Sequence, residues 1–220
     1  CLAAAPVVCR RWEARKEGLN NVVKFTARPV YDWTYEPPPV TVAPSIVTAN
    51  VTSYNSGKSF VEQSEADLFF LQEPRVPEDQ ISDLKEQLRK QNVSIAVAAS
   101  KRTEADGVSA GVMLLAKNTA RLAADPDGLS EVVFRHHAVA AIAQLHTMAP
   151  FLAVGAYFVH GVGAKGINIE IMAAIALRIS RRPLPFIVGA DFNMPPAQLI
   201  DSGWLDKLDA VVLWSGESRP

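Results

Sequence analysis

The sequence predicts a layered α/β fold, and three observations carry that prediction. Apolar runs of strand length at 45–51, 66–73, 151–160 and 186–191 each end on a polar group, and proline stops two of them. Helical patterns at 77–91 and 165–182 lie between them, so strands and helices alternate along the chain. With 220 residues and 49% hydrophobic content, one domain with a sizeable core is the natural size.

Residues 1–44 lack sustained periodicity and read as an irregular segment. Within it, Tyr31-Asp32-Trp33-Thr34-Tyr35-Glu36-Pro37-Pro38-Pro39 favours an extended polyproline-type linker. Arg10, Arg11, Arg15 and Lys16 read as solvated charges of that tail in preference to a nucleic-acid contact. The domain is expected over 45–220. It begins with the β-branched run Ser45-Ile46-Val47-Thr48-Ala49-Asn50-Val51, which ends near an asparagine. A polar stretch at 57–65 starts a short helix, and Ala66-Asp67-Leu68-Phe69-Phe70-Leu71-Gln72-Glu73-Pro74 is a buried-type strand that exits on an acid.

The stretch 77–91 is an amphipathic helix with Ile81, Leu84 and Leu88 as its stripe. Glu78 and Asp79 open it, and Arg89 and Lys90 close it, as the helix dipole prefers. A strand at 93–99 leads to a charged loop at 101–107 that could reach a substrate. Further β segments are expected at 108–117, 132–134 and 139–146, with a turn around Asp125-Pro126-Asp127-Gly128. The helix at 165–182 is apolar enough to need cover on most sides. A helix at 197–208 and a strand at 210–214 complete the pattern.

Composition narrows the function classes. The 22 Lys and Arg balance 23 Asp and Glu, so a generally basic face for gripping nucleic acid is excluded. Phosphate binding would have to come from a local site or a metal. Two cysteines, Cys1 and Cys9, cannot furnish a four-ligand zinc site and read as free thiols. No apolar run is long enough to cross a bilayer, and no membrane partner is expected. His136, His137 and His146 read as core or cross-strand histidines. Asn50-Val51-Thr52 and Asn92-Val93-Ser94 fit the glycosylation triplet but fall in segments that look buried.

The chemistry concentrates at Phe186-Ile187-Val188-Gly189-Ala190-Asp191-Phe192-Asn193-Met194-Pro195-Pro196. On an extended chain Asp191 and Asn193 share one face while Phe192 points into the core. The competing reading is an Asx-type turn in which both only satisfy local backbone. Four strand ends then carry polar groups: Asn50, Glu73, Tyr157 with His160, and Asp191 with Asn193. Converging strand ends make a cleft, and oxygen-rich side chains there suit a hard cation such as magnesium or manganese. Glu73 with Asn50 would hold it, and Asp191 would orient or deprotonate the attacking water. Asn193 and His160 would donate hydrogen bonds to the phosphate.

Ala49-Asn50-Val51, Leu71-Gln72-Glu73, Ala156-Tyr157-Phe158-Val159-His160 and Gly189-Ala190-Asp191-Phe192-Asn193, in this order, resemble the endonuclease/exonuclease/phosphatase superfamily. Within it the chain is most similar to the apurinic-endonuclease-like nicking domains of non-LTR retrotransposons. The resemblance implies a four-layer α/β sandwich, with two packed, mainly antiparallel sheets and helices outside. It implies metal-dependent phosphodiester cleavage, with Asn50 and Glu73 serving the metal. Tyr157 and His160 would lie beside the scissile phosphate, and Asp191 with Asn193 would position nucleophile and phosphate. DNA is then the expected partner, with a fused reverse transcriptase downstream.

The sequence departs from the family pattern at Ala190, Val159 and His160. No histidine follows His160, so the family's C-terminal serine-aspartate-histidine motif is absent and the last strands are expected to be missing. Impaired DNA nicking is the expectation. Two alternatives stay open: a phosphatase or phosphodiesterase acting on a lipid or small molecule, and a non-catalytic remnant or interaction module.

Overall fold

A computed structural model describes residues 44–103, 107–126, 135–145, 148–181 and 184–213, together with four strands nearer the start of the chain. Those four are β1 (Ala3–Ala4), β2 (Val7–Arg10), β3 (Trp12–Leu19) and β4 (Val22–Pro29). They are followed by β5 (Ser45–Asn50), α1 (Tyr54–Gln63), β6 (Leu68–Gln72), α2 (Ile81–Lys90), β7 (Ser94–Ala98), β8 (Lys101–Arg102), β9 (Val108–Ser109) and β10 (Val112–Ala116). The second half holds β11 (Arg121–Ala124), β12 (Ala138–Gln144), β13 (Phe151–Tyr157), α3 (Gly166–Arg181), β14 (Phe186–Asp191), α4 (Pro196–Asp201), α5 (Trp204–Lys207) and β15 (Ala210–Leu213).

Among the described residues the strands form two large sheets and a small β8–β9 ribbon. The first sheet runs β3-β4-β5-β6-β10-β7, with β1 beside β5. The second runs β11-β12-β13-β14-β2-β15. Each contains one parallel pair closed by a helical crossover, β5 with β6 through α1 and β13 with β14 through α3; the other pairings are antiparallel. Parallel pairing brings two strand exits together in each sheet, Asn50 opposite Gln72 and Tyr157 opposite Asp191.

Strand alternation sorts the core into three apolar layers. Val47, Ala49, Phe69, Leu71, Met113 and Leu115 face Ile81, Leu84 and Leu88 of α2 and Tyr54 and Val61 of α1. Their neighbours Ile46, Leu68, Phe70 and Leu114 face the second sheet, meeting Phe151, Ala153 and Ile187. On its far side Leu152, Val154, Phe186 and Val188 pack under Ile171, Met172, Ile175 and Ile179 of α3. The product is the expected four-layer arrangement of helices, two face-to-face sheets and helices. Gly189 lets the sheets approach, because a Cβ there would lie 2.3 Å from Phe70 Cγ.

Several expectations need correction. The segment read as irregular contributes strands: β3 and β4 form a hairpin whose β4 continues the first sheet from β5, and β2 lies between β14 and β15. Charge hid β3, since Trp12–Leu19 holds Glu13, Arg15, Lys16 and Glu17, a composition edge strands favour but one without apolar alternation. The stretch 108–117 is broken by left-handed backbone at Ala110 (φ 58) and Gly111 (φ 89), which ends β9 and starts β10. The helix expected at 197–208 is two short ones separated by Gly203 at φ 69. The helix at 165–182 is covered on one face only, leaving Ile169 and Leu177 more than half exposed. The strand β11 escaped notice because it is short and mostly exposed. Asn92 is exposed in the turn after α2.

The proline block at 31–39, Arg11, the expected strand at 132–134 and His146 lie outside the described residues, as do the side chains of Cys1, Cys9, Arg10, Arg15 and Lys16. Among the described residues no helix is long and apolar enough to cross a membrane.

Candidate active site

Each sheet delivers its polar residues through the same local device. At the exit of β5, Asn50 Oδ1 accepts the Thr52 N–H at 3.2 Å, and Thr52 takes a left-handed φ of 60°. At the exit of β14, Asp191 Oδ1 accepts the Asn193 N–H at 3.2 Å, and Asn193 takes φ 49°. Both are Asx turns, so the local reading of Asp191 holds for one of its oxygens. The other oxygen crosses between the sheets: Asn50 Nδ2 donates to Asp191 Oδ2 at 3.0 Å and to Glu73 Oε1 at 2.9 Å. Two carboxylates from different sheets thus converge on one amide nitrogen.

Glu73 follows β6 with a left-handed φ of 53°, an uncommon conformation for a side chain of this length and a form of strain that collects at functional sites. Its N–H is held by Gly111 O at 3.1 Å. Burial, followed by the nearby Glu73 and Asp191 charges, pushes the Tyr157 phenol up to about 12. Tyr157 is therefore a neutral hydrogen-bond donor at physiological pH. Burial raises the Asp191 carboxyl above its ordinary value and Glu73 adds to the effect, while hydrogen bonds from Asn50 and Asn193 and the nearby His160 oppose it.

Asn193 fixes the imidazole beside it. Its Nδ2 donates to Phe158 O at 2.7 Å, which turns Oδ1 toward His160 Nδ1 at 3.3 Å. An acceptor at that position places the His160 proton on Nδ1 and leaves Nε2 as the remaining ring position. One of the two Asn193 amide hydrogens is thus engaged with the protein, which makes the residue a brace for this turn as well. Phe192 anchors the same turn by stacking on Phe158 at 4.9 Å and meeting Trp204 at 6.1 Å.

The structure therefore joins Asn50, Glu73, His160, Asp191 and Asn193 through hydrogen bonds and sets Tyr157 opposite Asp191 on the neighbouring strand, so all six expected residues gather in one place. His136 and His137 do not join it as ligands; their Nδ1 atoms pair with Ala99 O and Tyr157 O.

Two supporting residues had no role assigned to them by the sequence. Gln72, fully buried, donates to Gly189 O of the opposite sheet at 3.2 Å, two residues before Asp191. Asn168, also fully buried, takes both backbone groups of Val159, accepting its N–H at 2.8 Å and donating to its carbonyl at 3.0 Å; it also donates to Gly163 O at 2.9 Å. That clamps the turn carrying His160. An isolated Gln or Asn in an apolar run is recognisable as a tie only once its partner strand is known.

The chain superposes on the AP endonuclease LMAP from Leishmania major with a TM-score of 0.53 and 14% identity, over 74% of this chain and 66% of that one. It superposes on D. rerio TDP2 complexed with a single strand DNA product with a TM-score of 0.51 and 15% identity, over 73% of this chain and 64% of that one. The chain has the endonuclease/exonuclease/phosphatase fold. The endonuclease domain of TRAS1, a telomere-specific non-LTR retrotransposon, matches at a TM-score of 0.47 and 15% identity, over 74% of this chain and 69% of that one. This chain spans about two thirds of the length of these solved chains. No protein-family model matches the chain, and no curated protein matches it.

The endonuclease/exonuclease/phosphatase fold thus holds its polar cluster where the exits of β5, β6, β13 and β14 meet. The donor set is oxygen-rich and suits a hard divalent cation. Among the described residues no group of three or more His, Cys, Asp and Glu side chains gathers as a metal cage. The two carboxylates supply oxygen donors of the kind a hard cation takes, while Asn50 turns its amide nitrogen to both acids and its Oδ1 to the Thr52 N–H.

Proposed function

We propose that the chain is a divalent-metal-dependent phosphodiester hydrolase acting on DNA. The observation that carries this reading is the pair of contacts from Asn50 to Glu73 and Asp191, which puts two acids 118 positions apart within reach of one hydrated cation. Magnesium or manganese held by Glu73 and Asn50 would neutralise charge on the phosphoryl oxygens.

The chain's own residues supply the rest. Asp191, with its carboxyl raised by burial, accepts a proton from the attacking water. Tyr157 keeps its proton beside the Glu73 and Asp191 charges and offers a neutral hydroxyl to the substrate. His160, with Nδ1 committed to Asn193, offers Nε2 to a phosphate oxygen when protonated. A nicking domain associated with a reverse transcriptase is the finer form of this proposal and rests on the motif resemblance alone.

A supercoiled-plasmid nicking assay under single-turnover conditions tests the reading. Cleavage should require Mg²⁺ or Mn²⁺ and vanish in Glu73→Ala and Asp191→Ala. Absence of metal-dependent cleavage, or cleavage that survives both substitutions, would overturn it.

A further inference from the structure

The segment after β6 carries a feature that the proposed hydrolysis does not use. Glu73 and Arg75 both hold left-handed backbone, φ 53° and 51°, on either side of Pro74. The turn is pinned on both flanks: Tyr54 N–H donates to Pro74 O at 2.6 Å and Ser100 N–H donates to Val76 O at 2.8 Å. Two strained non-glycine residues bracketing a proline, in a turn tied down on each side, place the Arg75 side chain deliberately. Its Nη2 lies 3.5 Å from Glu73 Oε2, with Arg75 exposed and Glu73 mostly covered. Asn50 holds the other Glu73 oxygen, and Asn50 and the Asn193 N–H hold the two oxygens of Asp191. Every oxygen of the two acids therefore has a nitrogen donor, and the full positive charge among those donors is Arg75.

We propose that Arg75 is a substrate-anchoring residue that rests on the Glu73 carboxylate in the free protein and transfers to a phosphate of the nucleic-acid strand on binding. The proposal deepens the hydrolase reading and rests on it. A guanidinium is suited to both partners, since carboxylate and phosphate present the same paired oxygens to its planar fork. While on Glu73 it competes with a divalent cation for the same carboxylate. With a cation on Glu73 the guanidinium would lose that partner, and its exposed position would let it pair with a phosphate of the strand.

Cation affinity and strand affinity should consequently move in opposite directions when Arg75 is changed, which no purely structural role would produce. The experiment uses the full chain and two binding probes, Mn²⁺ alone followed by water-proton relaxation, and a short single-stranded deoxyoligonucleotide with Ca²⁺ present followed by fluorescence anisotropy. In Arg75→Met, Mn²⁺ should bind about two- to fivefold more tightly, the range an exposed ion pair implies. The oligonucleotide should bind about tenfold more weakly, as loss of one charge-assisted hydrogen bond predicts. Arg75→Lys should recover part of the strand affinity, and its exposed position leaves thermal stability nearly unchanged as a folding control. Unchanged or weaker Mn²⁺ binding, or unchanged strand binding, in a folded Arg75→Met protein overturns the role of Arg75 alone. Wild-type protein that binds Mn²⁺ no better than Glu73→Gln overturns the hydrolase reading and this proposal with it.

Discussion

The Asn50 amide nitrogen stands 3.0 Å from Asp191 Oδ2 and 2.9 Å from Glu73 Oε1, joining two acids that belong to different sheets. In the free protein a neutral donor thus offsets the repulsion of two half-buried carboxylates. Replacing it with an acid removes that donor and adds a third negative charge. Asn50→Asp should lower stability by roughly 1–3 kcal/mol, about 3–10 °C in melting temperature. Adding Mn²⁺ should restore most of the loss, and melts recorded with and without the ion decide it.

Asp191 makes stability depend on pH in a definite direction. Its folded-state pKa lies above the ordinary 3.8, so between the two values the native state keeps a proton that the unfolded chain has lost. Stability of the wild type therefore falls as pH rises through that window. Asp191→Asn does not titrate there, so the melting temperature of the variant relative to wild type should climb with pH and level off once Asp191 is ionised. A constant difference across acidic to neutral pH would contradict the burial of that charge.

Tyr157, with its phenol pushed up to about 12, cannot set an alkaline limit near physiological pH. Tyr157→Phe removes the hydroxyl beside the Glu73 and Asp191 charges and should reduce single-turnover cleavage by about tenfold. The shape of the pH–rate profile should not change. A shift of its alkaline limb in the variant would assign the phenol a proton-transfer role instead.

Asn168 acts on the chemistry only through the turn bearing His160. Asn168→Ala removes three hydrogen bonds from a fully buried side chain and should cost about 2–4 kcal/mol. Histidine NMR should show the His160 ring losing its fixed tautomer while His136 and His137 keep theirs.

Gly189 tests the packing beneath the site. A methyl at this position would meet Phe70 Cγ at 2.3 Å, so Gly189→Ala should destabilise by about 1–3 kcal/mol. Combining it with Phe70→Leu should recover part of that loss, and a double-mutant cycle in denaturant measures the coupling.

The site was legible in the sequence to the extent that chemistry follows strand exits. Asp191 and Glu73 each end an apolar run before a proline-stopped turn, and the alternation that sends Phe192 inward keeps Asp191 at the cleft. Placement in chain order did not reveal Arg75, because nothing in Glu73-Pro74-Arg75 announces left-handed backbone at two non-glycine residues. It did not reveal Gln72 or Asn168 either, whose partners at Gly189 and Val159 become neighbours only through tertiary packing. Strands β3 and β4 were illegible for a different reason. An edge strand tolerates charge, so β3 lacks the pattern by which buried strands are recognised.

The crossing from Asn50 to Asp191 also bears on the order in which the molecule becomes competent. Either sheet can acquire its hydrogen-bonded ladder while still separate from the other, but neither then holds more than half of the cluster. In a refolding time course, recovery of Mn²⁺ affinity should lag behind the circular-dichroism signal of the strands, marking the moment when the two halves dock.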